Sequence, residues 1–280
     1  MTTPTPVRTL FAHIVDYAGT YPPASLAVDD AVSAYARERA GADAWLLGRF
    51  VIGAQSLDAV EHAVRGAFHG DWELSVITGP DARSALARLN AFNARWAGRA
   101  TIASVEFAPT PPSEIAGLMQ LVGDRTEAFF ETPLDTDLGV RLDAIAAAGG
   151  AAKMRTGGTT PTAIPSPAAL ADFLFECAQR GLPFKATAGL HHAVRSCYPL
   201  TYERDSSTAV MHGFLNALAA ASMANAGASR ADLVDALVEP SAAALMNTAR
   251  LHDPAVTRRF FRSFGSCSFR EPADELARIT

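Results

Sequence analysis

Two lysines, two glutamates and a pair of adjacent histidines carry most of the chemistry this chain offers. Residues 181–192 read Gly-Leu-Pro-Phe-Lys-Ala-Thr-Ala-Gly-Leu-His-His, a short apolar strand that runs to a glycine and then releases two imidazoles. Under the two-residue period of a strand, Lys185, Thr187, Gly189 and His191 share one side, while Phe184 and Ala186 share the other. A lysine on a buried strand is either paired with an anion or works at lowered basicity, because desolvation penalises its ammonium form. Lys153 and Arg155 share parity within residues 151–155, as do Ser104 with Glu106 and Phe129 with Glu131 on their own strand segments.

These residue types point to lyase or isomerase chemistry on a small anionic carbonyl or carboxylate compound. Lys185 is the expected amine or base, Lys153 its electrostatic partner, Glu131 or Glu106 the proton shuttle, and His191 a further catalytic candidate. Arg155 with Arg49 is the expected anion clamp, since a guanidinium offers a carboxylate two parallel hydrogen bonds. Asp16, Tyr17, Thr187, His192 and Ser266 also fall near strand ends and join the substrate-binding candidates. Residues 156–160, Thr-Gly-Gly-Thr-Thr, add an anion-binding turn through Thr156, Gly157 and Gly158, although their order is not that of a nucleotide phosphate loop.

Other readings use the same residues. Glu106, Glu131 and His191 are candidate ligands for a divalent metal in a hydrolase or isomerase, while the leading reading requires no cofactor. His191 and His192 face opposite ways if extended, so one ion takes both only across a turn. A phosphoribosyltransferase-like barrel would place a phosphate near residues 156–160. A noncatalytic small-ligand-binding protein would use the charges as a salt-bridged lid. Cys267 has no identifiable base and reads as a small buried hydrophobe, and His212 reads as a helix-end histidine. A Lys185→Met change is expected to leave folding intact if burying the ammonium is costly.

The elements that must position these groups recur as strand then helix. Strands are predicted at 9–15, 44–47, 72–77, 101–107, 128–131, 151–155, around Lys185, and at 265–269. Helices fall between them, including 31–39, 56–68, 82–96, 112–121, 138–148 and 166–180. The helix at 56–68 pairs Glu61 with Arg65 and ends its apolar stripe at Phe68. Pro167 after Ser166 marks a helix start, and residues 194–207 read as irregular. Helices at 211–226 and from Ser229 to a break near Pro240 occupy the gap before the last strand. Eight strands predict one α/β domain, a (β/α)₈ TIM-barrel-like fold over residues 1–280 with extra helices before the last strand. The strand ends then converge on one mouth, while a doubly wound open sheet remains the alternative.

The composition is compatible with this. In 280 residues there are 24 basic and 29 acidic side chains, a formal charge of -5, and neither sign gathers into a run. No nucleic-acid partner is expected. The absence of a long apolar run argues against a membrane partner. The three cysteines are scattered and suit a reducing compartment, and the amino terminus lacks a secretory pattern, so a cytoplasmic location is expected. A small anionic substrate is the expected partner, and a homo-oligomer is compatible with the sequence.

Four motifs resemble those of a bacterial protein family without an assigned activity: Asp16-Tyr17-Ala18-Gly19 with Tyr21-Pro22-Pro23-Ala24, Lys153-Met154-Arg155-Thr156-Gly157-Gly158, residues 185–192, and residues 265–269. The likeness spans nearly the whole chain and implies a barrel-like βα organisation. Lys153 and Lys185 on late barrel strands resemble the Schiff-base aldolases in mechanism. Residues 130–134, with Lys153 and Gly157-Gly158, are similar to enolase-type barrels, from which the chain departs in lacking an evident capping domain and carboxylate triad.

Overall fold

The computed structural model describes residues 5–64 and 71–279. Seven parallel strands follow one another in the wall of a barrel: β1 (Val15–Tyr17), β2 (Leu47–Gly53), β3 (Trp72–Ile77), β4 (Ala100–Phe107), β5 (Glu127–Glu131), β6 (Ala151–Arg155) and β7 (Phe184–Thr187). The chain then makes an antiparallel hairpin of β8 (Ser196–Pro199) and β9 (Thr208–Met211). The eighth barrel strand, β10 (Phe261–Ser266), enters between β7 and β1 and closes the sheet. The fold is therefore a closed (β/α)₈ barrel, and all its sheet pairings are parallel.

Helix α1 (Pro6–Phe11) precedes β1, and α2 (Val28–Arg39) to α7 (Pro167–Gln179) alternate with the strands: α3 (Leu57–Val64), α4 (Ala82–Arg95), α5 (Pro112–Met119) and α6 (Leu138–Ala147). Between β9 and β10 come α8 (Phe214–Asn225), α9 (Arg230–Val238), α10 (Ala242–Arg250) and α11 (Pro254–Phe260), and α12 (Arg270–Ile279) ends the described chain. The helix starts are local chemistry. Ser166 caps α7 by accepting from Ala169 N at 3.1 Å, with Pro167 at the first helical position. Ser229 and Asp232 form a reciprocal capping box on α9.

Several boundaries differ from the sequence reading. Residues 9–15 do not form the first strand, because Thr5 caps a helix at Pro6 and β1 begins only at Val15. The second strand starts at Leu47, where residues 44–47 had been expected to end it. The closing strand is drawn earlier, to Phe261, by Phe261 and Phe264, both buried. Residues 194–207 contain one arm of the hairpin. For the predicted 56–68 helix, α3 covers its first part, and Arg65 and Phe68 lie outside the described residues.

Aromatic rings fill the layer between sheet and helices. Tyr17, Tyr35 and Phe50 stack with centroids 5.1–6.2 Å apart, and Trp72 meets Tyr35 edge-on at 4.9 Å. Phe184 is packed by Phe173, Phe260 and Phe261 at 4.7–5.5 Å. Such clusters add to the burial of apolar area that drives folding. Inside the barrel the filling is different. Asp16, Ser75, Ser104, Glu106, Lys153, Lys185 and Ser263 are all buried, where barrels usually stack branched apolar side chains.

The loops after β6 and β7 are locked together at the mouth. A Cβ on Gly189 would stand 2.8 Å from the Gly157 Cα, and Gly189 has φ +82°. Thr156 N donates to Thr187 O at 2.9 Å, and the Thr156 hydroxyl donates to Ala188 O. Both the close approach and the left-handed backbone require glycine at 189. Gly189→Ala is expected to lower stability by about 1–3 kcal/mol, read from urea unfolding. A variant as stable as the wild type would show that the two loops do not meet in this way.

Candidate active site

A cavity of about 290 Å³ opens at the C-terminal end of the barrel. Its floor is an ionic network made by side chains from alternate positions of successive strands. In register, Glu131 lies opposite Lys153 and Lys153 opposite Lys185, so the shared parity read from the sequence brings these groups to one level. Lys185 Nζ donates to Asp16 Oδ2 and to Glu106 Oε1, each at 2.6 Å. Lys153 Nζ lies 2.9 Å from Glu106 Oε2 and 3.1 Å from Glu131 Oε2. Arg155 Nε, on a half-exposed side chain, is 3.5 Å from Glu131 Oε1. Ser75 Oγ donates to Glu106 Oε1 and accepts from Ser104 Oγ, both at 2.7 Å.

Glu106 thus joins both lysines through its two oxygens. Burial pushes its carboxyl up, but the Lys185 and Lys153 ammoniums and the Lys185 and Ser75 hydrogen bonds outweigh this and hold it below the usual carboxylate range. For Lys185, burial works against the charge, and Asp16 and Glu106 overcome it, so its basicity is raised. Lys185 is a held ammonium at neutral pH. That removes the sequence expectation of a lysine that gives up its proton at this position.

Of the other candidates, Arg155, Thr187, Gly158 and His191 line the cavity with the two lysines and Glu106. Glu131 stands behind Lys153. Asp16 lies beneath the floor, where Oδ2 also accepts from Ser263 Oγ at 2.7 Å and Oδ1 accepts from Arg49 N at 2.9 Å, so its acceptor positions are taken by the protein. Arg49 does not reach the mouth. Because β2 extends well past it, Arg49 sits toward the N-terminal end of the barrel, with Nη2 3.0 Å from Glu127 Oε2 at the start of β5. Tyr17 follows Asp16 on a strand, faces the opposite way, and joins the outer aromatic stack. Thr156 spends its hydroxyl on the loop contacts already described, and Gly157 is pressed against Gly189.

The two histidines part as their adjacency requires. His191 Nδ1 is 2.8 Å from Glu271 Oε2 and 3.3 Å from Ser266 Oγ. His192 turns outward, with Nδ1 2.7 Å from Glu275 Oε1 and its ring stacked on Tyr198 of β8 at 3.5 Å. Ser266 therefore supports His191 from outside the cavity lining. Burial raises the Glu271 carboxyl, but His191 and Tyr202 more than offset it and keep it ionised. Tyr202 OH donates to Glu271 Oε2 at 3.1 Å. Glu271 was visible at the end of the last strand but carried no role there, and Glu275 was missed. The readable signal was two carboxylates four apart, able to meet two adjacent histidines.

No family model and no curated protein matches the chain. Among solved structures it is similar to a nitroalkane oxidase from Streptomyces ansochromogenes, at 14% identity over 98% of this chain and 99% of that chain, with a TM-score of 0.35. A likeness at that score carries no argument about activity. The family resemblance in the sequence therefore rests, in the structure, on barrel organisation alone.

The candidate metal ligands Glu106, Glu131 and His191 do not gather. The Lys153 ammonium lies between the two carboxylates, His191 turns to Glu271, and among the described residues no group of three or more His, Cys, Asp or Glu side chains is arranged to hold an ion. Burial pushes the Cys267 thiol up, which keeps it protonated. His212 gives its Nε2 proton to Pro165 O at 2.8 Å and is lowered in basicity, chiefly by burial. No described helix is long and apolar enough to cross a membrane.

The network corrects the expectation for Lys185→Met. Removing the ammonium strands Asp16 and Glu106, so the variant should lose about 3–5 kcal/mol, measured by denaturant unfolding at pH 7. Retained stability would show that the pairing carries little. Glu106 supplies the pH signature. Its folded-state pKa is depressed, so its contribution is complete above the unfolded value near about 4.3 and is lost as pH falls through the lower folded one. The stability difference between wild type and Glu106→Gln should be constant from about pH 6 to 8 and shrink only below about pH 4. A difference that begins to shrink near neutrality would mean that Glu106 is not held ionised by the lysines.

Proposed function

We propose that the barrel mouth performs lyase or isomerase chemistry on a small anionic carbonyl compound through an amine-carbonyl adduct on Lys153. The observation that carries this is the bridging of two lysines on adjacent strands by one buried carboxylate at the floor of the mouth cavity. Lys153 Nζ lies between Glu106 and Glu131, and Glu131 is placed to take its proton as the amine attacks a carbonyl carbon. Lys153 is the better placed of the two. It contacts Glu131, which the half-exposed Arg155 reaches from the cavity side, whereas Lys185 is fastened on both sides at 2.6 Å.

The step balances as follows. Lys153 passes one proton to Glu131, 3.1 Å away, and its nitrogen lone pair forms a bond to the carbonyl carbon while the carbonyl π pair moves to oxygen. Loss of that oxygen as water, with one proton from nitrogen and one returned by Glu131, leaves an iminium ion. The iminium withdraws electrons from the neighbouring carbon, where a proton or a carbon-carbon bond can then be cleaved. Arg155, the sole arginine of the expected clamp in the cavity lining, offers a partner for the anionic end of the substrate. Gly158, Thr159 and Gly189 border the same space. The resemblance to Schiff-base aldolases supports this reading at the level of mechanism.

The test is borohydride trapping with pyruvate and with dihydroxyacetone phosphate as probes. Mass analysis of the digested protein should find the reduced adduct on the peptide carrying Lys153, and Lys153→Met, shown by circular dichroism to be folded, should not form it. An adduct confined to Lys185 would reverse the assignment. Probe binding without any adduct would favour a noncatalytic ligand-binding protein.

A further inference from the structure

We propose that His191 is the group that moves the proton at the carbon next to the carbonyl, with Glu271 as its positioning residue. This rests on the Lys153 adduct and specifies what acts on it. The carboxylates near Lys153 are all engaged, and Glu131, which takes and returns the Lys153 proton in the adduct step, lies outside the cavity lining. Glu106 has one oxygen on each lysine, Glu131 is shared by Lys153 and Arg155, and Asp16 lies below, bonded to Lys185, Ser263 and the Arg49 amide. A base that works on the substrate's carbon must come from another part of the lining.

His191 and Lys153 line the same cavity. His191 sits in the loop that follows β7, and the residue is 8% exposed. Its Nδ1 faces Glu271 at 2.8 Å. An ionised carboxylate only accepts, so Nδ1 carries a proton toward Glu271 and Nε2 is the ring nitrogen left to exchange a proton with substrate. Among the described residues Nε2 has no hydrogen-bond partner, and it is not sealed from solvent. Glu271 is itself restrained by Tyr202 OH at 3.1 Å, so ring orientation and tautomer are both fixed. Of the other titratable groups in the lining, Tyr21 and Cys267 have raised pKa values, mainly from burial, and hold their protons.

The proposed step follows iminium formation. Nε2 takes the α-proton, the electron pair of that C–H bond becomes the enamine double bond, and the C=N π pair returns to the Lys153 nitrogen. The imidazolium then delivers its proton, or a solvent deuteron, back to carbon. Nothing is oxidised or reduced.

The experiment measures deuterium exchange into the α-carbon of pyruvate and of dihydroxyacetone phosphate in D₂O by NMR, alongside borohydride trapping. Wild type should form the Lys153 adduct and exchange. His191→Gln should still form the adduct while exchange falls by about 10² or more. Glu271→Gln should lose part of that rate, and the ¹⁵N signals of His191 should move away from the single Nδ1–H tautomer, a change that a merely structural glutamate would not produce. Exchange in His191→Gln within about twofold of wild type, with the adduct intact, overturns the proposal and leaves the Lys153 reading standing. Absence of an adduct in wild type overturns both. If His191→Gln does not fold, Glu271→Gln decides: unchanged exchange and unchanged ¹⁵N signals reject the proposal.

Discussion

The carboxylate of Glu106 is the constraint around which the barrel interior is arranged. It accepts from Lys185 on one oxygen and faces Lys153 on the other, and it is fully buried. Counting the connected side chains, Lys153, Lys185 and Arg155 supply three positive charges, and Asp16, Glu106 and Glu131 supply three negative ones. The network is neutral only while all members are present. An apolar interior of the same volume would usually be as stable or more so, and the charged one leaves the job of holding the barrel to the outer aromatic layer, where Phe184 alone touches three other rings. Aromatic packing and buried charge thereby occupy opposite faces of the same strands. Phe184 points outward and Lys185, the next residue, points in.

That alternation also explains what could be read from the sequence. Strand parity placed Lys153, Lys185 and Glu106 on the inner side because each sits within a strand whose limits were nearly right. The same rule, not applied to Asp16 and Tyr17 when both were read as substrate-binding residues, puts these strand neighbours on opposite faces in the structure. Arg49 was assigned to the wrong end for a different reason: residues 44–47 looked like the strand, when the sheet pairing begins at Leu47 and continues to Gly53. A shift of a few residues along a strand carries a side chain from the mouth to the base. The composition of β2, with Gly48 and Arg49 near its start, resembles a strand end locally, and only pairing with β1 and β3 decides otherwise.

What the sequence did not show is the contribution of its last segment. Helix α12 begins four residues after the end of β10 and supplies Glu271 and Glu275 to consecutive histidines about 80 residues earlier in the chain. The pairing also reaches the hairpin, because His192 stacks on Tyr198 and Tyr202 bonds Glu271. Three segments, the loop after β7, the hairpin and α12, therefore define one side of the mouth. Local periodicity is silent about such contacts, since each residue involved satisfies its own element equally well as a solvated surface group.

The two ends of the barrel use different cations, and the difference has chemical content. At the base, Arg49 and Arg262 both contact Glu127, and Arg258 donates to the Phe261 carbonyl and to Ala12 O. Burial, with Arg262 and Arg49 nearby, brings Arg258 down to about 10, so it remains charged at neutral pH. A guanidinium closes a structure without exchanging protons and suits a permanent plug. At the mouth the buried cations are lysines, whose compact ammonium can lose a proton when its surroundings oppose the charge. Lys185 is pinned by Asp16 and Glu106, both fully buried, whereas Lys153 lies between Glu106 and the partly exposed Glu131. Ion pairs thus fill both ends of the barrel, built on arginine at the base and on lysine beneath the mouth.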